Sequence, residues 1–160
     1  GMDRGRKGTW MPSYGPEMRG GTAHCIVIVS DAAIGSPLIL RPSIAVVLNQ
    51  PSFDKYEPLI KPGGVLAINC SLIGSRSTRP DVTNVCVPAT AIANELGDVR
   101  MANIVLLGGL LAVRPVVPLD AIAQALEDHI PQRRRKIVEP NKRALLAGAR
   151  YIEEKGVTND

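Results

Sequence analysis

The residues with the most chemical character in this sequence lie between Trp10 and Thr22. This glycine-rich stretch contains the only tryptophan of the chain and a Glu17/Arg19 pair, placed just before an apolar run. A guanidinium presents a planar set of donors that suits phosphate or carboxylate, and neighbouring glycines let a ligand or another backbone approach closely. The alternative is that Glu17 and Arg19 pair with each other while Trp10 and Met18 cover the core. The candidate residues of this loop are Ser13, Tyr14, Glu17, Arg19, Gly20, Gly21 and Thr22.

A second set of polar residues follows the predicted strands. Because ligands of open parallel sheets bind at the carboxyl ends of the strands, these residues form a candidate polar cluster. Side chains at strand ends also hold loops in place by hydrogen bonding, and that structural role is the stronger expectation for Asn49, Asn69 and Asn103. The members of the cluster are Asn49, Gln50, Asn69 and Ser71.

Several signatures of self-sufficient enzymes are missing from the sequence. It contains no GxGxxG, GxxxxGK[ST], GxSxG or HExxH motif. The three cysteines, Cys25, Cys70 and Cys86, form no CxxC pair, so we expect buried, reduced thiols rather than ligands of zinc or an iron–sulfur cluster. His24 and Cys25 are adjacent in a predicted strand and therefore point to opposite faces. We predict no catalytic and no metal-binding residue on this chain.

The composition is that of a globular domain with an unusually aliphatic core. The chain has 160 residues, of which 45% are hydrophobic but only 3% aromatic. Its net charge of +4 is too small and too scattered to indicate nucleic-acid binding. No apolar run is long enough for a membrane span, and no signal peptide is evident, so we expect a cytoplasmic protein.

The order of apolar runs and turn residues predicts an α/β domain with a mainly parallel sheet. Glycines and prolines fill the first 21 residues, which predicts an N-terminal loop over residues 1–21 and an α/β body over residues 22–157 of one domain, 1–160. The predicted strands cover residues 22–29, 43–48, 65–69 and 82–87. The predicted helices cover residues 51–56, 89–96, 100–113, 119–130 and 141–155.

Two polar segments lie between these elements. Residues 75–80 predict a mobile polar loop. The basic run Arg133–Lys136 predicts a solvated connector between two helices, and the alternative is a docking patch for an acidic chain.

The stretch TWMPSYGPEMRGGTAHC, residues 9–25, closely resembles the gamma-subunit signature of the 2-oxoacid:ferredoxin oxidoreductases. These are the pyruvate, 2-oxoglutarate and 2-oxoisovalerate synthases. The similarity covers about residues 9–150 in order. It continues through Ile34–Pro37, Leu48–Ser52, Lys61–Gly64, Ile68–Ile73, Pro88–Thr90, Glu95–Gly97 and Asn103–Gly108, and ends near Asn141 and Ala144.

The resemblance implies a Rossmann-like three-layer domain within an enzyme of anaerobic metabolism that oxidatively decarboxylates a 2-oxoacid to an acyl-CoA and reduces ferredoxin. In that family, thiamine diphosphate lies between alpha and beta chains, and iron–sulfur clusters lie on a ferredoxin-like chain. We therefore expect these three chains as partners, no cofactor bound by the present chain alone, and no activity in isolation. The Ser13–Thr22 loop would cover the active centre or face CoA.

One feature of the family is missing from this sequence. Family members usually begin with a further strand and a Gly-Gly-Gln-Gly turn, upstream of the Trp10 motif. Without them we expect an unpaired sheet edge, which favours a homodimer of the isolated chain, and less support for a contact with CoA phosphate. The alternative function is a stand-alone α/β module that binds a small ligand or nucleotide without partner chains.

Overall fold

The computed structural model describes residues 7–13, 24–35 and 39–157. The chain divides into two compact units, residues 1–41 and 42–160. The first unit contains an antiparallel pair of strands, and the second contains a parallel sheet and five helices. The parallel sheet and the helices lie in the second unit, whereas the strand predicted at residues 22–29 lies in the first.

The first unit is built on two strands, β1 (Lys7–Ser13) and β2 (His24–Ser30). They pair antiparallel, with Trp10 opposite Val27. The prediction of a continuous loop over residues 1–21 is therefore wrong for β1. The high glycine and proline content of the whole segment obscured a short stretch with strand-forming Thr and Trp. This stretch forms a strand because β2 supplies its hydrogen-bonding partner.

Strand β2 was predicted as part of the mainly parallel sheet, but it pairs antiparallel with β1. Its residues alternate between half-buried and exposed, and Val27 is 62% exposed. His24 lies on the half-buried face and Cys25 on the exposed face, as the alternation of side chains along a strand requires. Trp10 on β1 is 63% exposed, so it does not act as a core-covering side chain.

The second unit contains a three-stranded sheet of β3 (Ile44–Val47), β4 (Gly64–Asn69) and β5 (Val82–Val87). The strands are parallel and lie in the order β3-β4-β5. All six residues of β4 are buried, which explains why the run is apolar without alternation. The prediction of an α/β domain with a parallel sheet is confirmed for this unit.

The five helices lie close to their predicted positions. Short 3-10 turns precede or follow them at Glu57–Leu59, Val99–Met101 and Gln132–Ile137. The last of these turns carries the basic run, whose residues are exposed, as expected of a connector. The helices are α1 (Gln50–Tyr56), α2 (Ala89–Glu95), α3 (Ala102–Val113), α4 (Leu119–His129) and α5 (Val138–Lys155).

Helices cover both faces of the parallel sheet. On one face, α2, α3 and α5 form a core with alternate residues of β4 and β5. On the other face, α1 contributes Phe53 to a second core with Leu66 and Ile68. Phe53 is the only aromatic residue among the buried hydrophobic side chains of the described residues, which confirms the expected aliphatic core.

The closest helix contact joins α3 to α5 through glycines. A Cβ on Gly108 would overlap the Leu145 carbonyl, and a Cβ on Gly148 would overlap the Val105 carbonyl. The glycines inside α3 each disfavour the helix by about 1 kcal/mol relative to alanine. That loss is offset because the two backbones touch at Gly108 and Gly148.

We expect Gly148→Ala to lower the free energy of unfolding by about 1–3 kcal/mol, because overpacking against a backbone carbonyl outweighs the gain in helix propensity. Urea denaturation of the purified chain, followed by circular dichroism, measures this change. Gly74→Ala is the matched control, since a Cβ there meets no atom within 4 Å. A midpoint for Gly148→Ala equal to or above that of the unsubstituted chain would contradict the close-contact explanation.

Candidate functional site

The loop that the sequence identified as a candidate site lies mainly outside the described residues. Ser13 is the last residue of β1, and its backbone pairs with His24. No structural description applies to the other members, and their role stays a prediction. They are Tyr14, Glu17, Arg19, Gly20, Gly21 and Thr22.

The polar residues after β3 organise the start of α1. The Asn49 side chain accepts a hydrogen bond from the Ser52 N–H at 2.9 Å and so caps this helix. The Gln50 amide donates to Asp54 at 2.7 Å, and the Gln50 carbonyl oxygen accepts from the Ser75 hydroxyl at 3.2 Å. Gln50 therefore links α1 to the loop that follows β4.

The polar residues after β4 organise the start of α2. Asn69, which is 1% exposed, donates to Thr90 Oγ1 at 2.8 Å and accepts from the Thr90 N–H at 3.3 Å. The Ser71 hydroxyl accepts from the Ala91 N–H at 3.1 Å. These side chains therefore satisfy backbone donors that would otherwise lack a partner at the start of a helix.

Three of the four polar residues thus hold helix starts, Asn49 at α1 and Asn69 with Ser71 at α2, whereas Gln50 links α1 to the loop after β4. Asn69 acts as the hydrogen-bonding strut that its strand-end position suggested, and so does Asn49. Asn103 only accepts from the next backbone N–H, that of Ile104. Asn69 and Ser71 accept from the Thr90 and Ala91 N–H groups, so these two backbone donors at the start of α2 already have partners.

We expect Asn69→Ala to destabilise the chain by about 1–3 kcal/mol, because it removes the buried side chain that partners the half-buried Thr90 N–H and hydroxyl. Thermal or urea unfolding measures the loss. Asn94→Ala, an exposed change on α2, should alter stability by less than about 0.5 kcal/mol. Equal effects of the two substitutions would show that Asn69 does not hold α2.

The loop over residues 75–80 is held by an extensive set of hydrogen bonds. Ser77 is buried, and Asn84 on β5 both accepts from its N–H at 3.0 Å and donates to its carbonyl at 2.9 Å. The Ser77 hydroxyl also donates to the Glu57 carboxylate. The expectation of a mobile loop is therefore wrong, because a buried Asn84 on the adjacent strand gives the loop backbone a partner.

Arg79 links this loop to the segment before β4. It donates to the carbonyls of Ile60 at 2.9 Å and Glu57 at 3.2 Å, and it forms a bidentate ion pair with Asp81. The hydrogen bond from the Arg79 guanidinium holds the pKa of Asp81 below its ordinary value. The same interaction raises the pKa of Arg79.

A groove of about 400 Å³ runs along this loop and the first half of β5. Two guanidinium groups lie at its edge, but Arg79 is already neutralised by Asp81. Its lining residues are Arg76, Ser77, Thr78, Arg79, Pro80, Val82, Thr83 and Asn84.

The Arg79–Asp81 pair predicts a defined loss of stability in acid. The pKa of Asp81 is lower in the folded chain than its ordinary 3.8, so the pair stabilises the fold fully above about pH 4 and progressively less as the pH falls. We expect Asp81→Asn to be less stable than the unsubstituted chain at pH 6, with a difference that shrinks below pH 4. Glu153→Gln, an exposed change on α5, is the control for general charge effects. A difference that stayed constant from pH 6 to pH 2.5 would rule out the ion pair as its source.

The cysteines differ from the prediction of three buried, reduced thiols. Cys70 and Cys86 form a disulfide, with Cα atoms 5.7 Å apart, and both residues are half-buried. Cys25 is free and exposed on β2. Sequence reasoning missed the pairing because it depends on the register of β4 and β5.

The family resemblance implies iron–sulfur clusters, whose ligands are side chains such as Cys and His. Within the described ranges, no three His, Cys, Asp or Glu side chains lie close enough to hold a metal ion. The three cysteines also fall short of the four ligands that iron–sulfur clusters commonly use. The described residues therefore do not fit a cluster or a metal ion.

None of the helices in the described residues is both long and apolar enough to cross a membrane.

Comparison with known proteins identifies similar chains. A family model described as pyruvate ferredoxin/flavodoxin oxidoreductase matches residues 1–151. The ketoisovalerate oxidoreductase subunit VorA of Methanothermobacter thermautotrophicus is 36% identical over 152 residues, a match that covers 94% of this chain and 31% of VorA. The chain therefore spans about a third of the length of this relative.

Two solved structures share the fold. The gamma subunit of a keto/oxoacid ferredoxin oxidoreductase from Geobacter sulfurreducens is 29% identical, with a TM-score of 0.78 over 96% of this chain and 84% of that subunit. The 2-oxoglutarate:ferredoxin oxidoreductase of Magnetococcus marinus, solved with 2-oxoglutarate, coenzyme A and succinyl-CoA, is 17% identical, with a TM-score of 0.81 over 96% of this chain and 27% of that chain.

Proposed function

Because the chain belongs to the pyruvate ferredoxin/flavodoxin oxidoreductase family, we propose that it is the gamma-type component of a 2-oxoacid:ferredoxin oxidoreductase. The observation that carries the proposal is the family match over residues 1–151, which includes the Trp10–Thr22 motif. The substrate class is a 2-oxoacid, since the similar proteins are named for ketoisovalerate and 2-oxoglutarate. The products would be an acyl-CoA and reduced ferredoxin.

The hydrogen bonding of the polar side chains and the small number of cysteines support a role without catalytic residues on this chain. The polar side chains at the carboxyl ends of β3 and β4 are engaged in capping α1 and α2. The cysteines do not supply a cluster ligand set. Thiamine diphosphate, iron–sulfur clusters and the reacting carbonyl would therefore be held by alpha, beta and ferredoxin-like chains, and this chain would be inactive alone.

The Ser13–Thr22 loop is the part of this chain that we assign to the assembled active centre. Its guanidinium and glycines suit a ligand with phosphate or carboxylate groups, such as CoA. The finer description of the second unit as a Rossmann-like three-layer domain is part of the same proposal, and it is supported by helices on both faces of a parallel sheet.

Co-purification tests the assembly. Affinity capture of the tagged chain, co-expressed with thiamine-binding chains from the same genome, should recover a complex that reduces ferredoxin with a 2-oxoacid and CoA. The isolated chain should give no activity with the same substrates. Recovery of the chain alone, together with nucleotide binding by the isolated chain, would instead support the stand-alone ligand-binding module.

We expect Arg19→Ala in the assembled enzyme to lower kcat/KM for CoA at least tenfold, equivalent to about 1.4 kcal/mol of lost transition-state stabilisation. Thermal stability should change little, because the substitution removes a ligand contact rather than core packing. Arg41→Ala, an exposed arginine of the same unit, is the matched control. Unchanged steady-state kinetics in the Arg19 variant would remove this loop from the active centre.

A further inference from the structure

The Cys70–Cys86 disulfide joins the carboxyl ends of two neighbouring parallel strands. Cys70 directly follows β4, and Cys86 is the penultimate residue of β5. Their Cα separation of 5.7 Å lies within the range that a disulfide spans without moving the backbone. Both residues are half-buried, so reagents in solution can reach the pair.

The two sulfurs have different surroundings. Arg76 Nη2 lies 2.7 Å from Cys86 Sγ, and the Arg76 guanidinium is held by a hydrogen bond to the Ser75 carbonyl at 3.0 Å. Cys70 Sγ lies 3.5 Å from the Ile68 carbonyl oxygen, an acceptor for a protonated thiol. A guanidinium stabilises a thiolate, whereas a carbonyl oxygen stabilises the protonated form. Arg76 lies against Cys86 and the Ile68 carbonyl against Cys70, so the two cysteines are not equivalent.

We propose that Cys70 and Cys86 form a reversible dithiol–disulfide site, which exchanges with small disulfides and dithiols and in which Arg76 activates Cys86. The Cys86 thiolate attacks one sulfur of a small disulfide, forming a mixed disulfide and releasing one thiolate. Cys70 then loses its proton to solvent and attacks Cys86 Sγ, which closes the protein disulfide and releases the second thiolate. The protein pair loses two electrons, and the small disulfide gains them. A dithiol reductant reverses both steps.

The redox state of this pair would set how firmly the turn after β4 is held. Asn69 and Ser71, which cap α2, flank Cys70 in this turn. A bond to Cys86 fixes the turn to β5 and closes a loop with a sequence separation of 16 residues. Loops of this length confer measurable stability when closed, so oxidation should raise the Tm by roughly 5 °C. This inference does not depend on the proposed function.

The test uses the full chain with Cys25→Ser, so that only the proposed pair remains. The protein is reduced with dithiothreitol under inert gas, treated with oxidised glutathione, quenched in acid and weighed by mass spectrometry. We expect a loss of two hydrogen atoms with no lasting glutathione adduct, a higher Tm, and full reversal by dithiothreitol without denaturant. A stable glutathione adduct, two remaining thiols, or reduction only after unfolding would overturn the proposal.

The role of Arg76 is tested in the reduced protein by alkylation with iodoacetamide at pH 7 and peptide mapping. Cys86 should react faster than Cys70. Arg76→Gln should slow the reaction of Cys86 by at least about fivefold, whereas Arg76→Lys, which keeps the positive charge, should retain most of the rate. Arg114→Gln, an exposed arginine, is the control and should change neither rate. Equal rates at the two cysteines, or no effect of Arg76→Gln, would overturn the activation of Cys86.

Discussion

The second unit depends on the complete burial of its central strand, β4. A strand with parallel neighbours on both sides has no edge exposed to water, and its side chains alternate between two faces that must both be covered. The chain meets this requirement with α1 on one face and with α2, α3 and α5 on the other. The aliphatic composition follows from it, because Val, Ile, Leu and Ala fill the narrow space between sheet and helices.

The coverage of the larger face explains the glycines of α3 and α5. Two helices can both reach one face of a three-stranded sheet only if they lie close to each other, and Gly108 and Gly148 allow their backbones to touch. The hydrogen bond between Lys142 and Glu127 then joins α4 to the outer side of α5. Helix α4 has no buried residue, so its packing is peripheral to this arrangement.

Local sequence patterns predicted most of the second unit but not the contacts between its strands. Strand β5 and helix α2 were predicted to within one residue, because apolar periodicity and turn residues mark them directly. The many Gly and Pro residues around β1 led to the prediction of a loop, whereas β1 forms because it pairs with β2. Two contacts depend on the register of neighbouring strands. They are the disulfide between Cys70 and Cys86 and the hydrogen bonds between Asn84 and Ser77. In that register Cys86 lies opposite Ile68, two positions from Cys70 and on the same face, which becomes evident only once the strands are aligned.

The use of polar side chains in the second unit bears on the division of labour between chains. A sheet end that binds an anion presents backbone donors, but here Asn69 and Ser71 accept from the Thr90 and Ala91 N–H groups of α2, and Asn49 accepts from the Ser52 N–H of α1. Arg79 likewise satisfies two carbonyls and Asp81. These hydrogen bonds fix the turns after β3 and β4 to α1 and α2, and Arg79 fixes the loop before β5 to the segment before β4. In the proposed function, ligand contact is therefore assigned to the Ser13–Thr22 segment, whose arginine and paired glycines suit a ligand with phosphate or carboxylate groups.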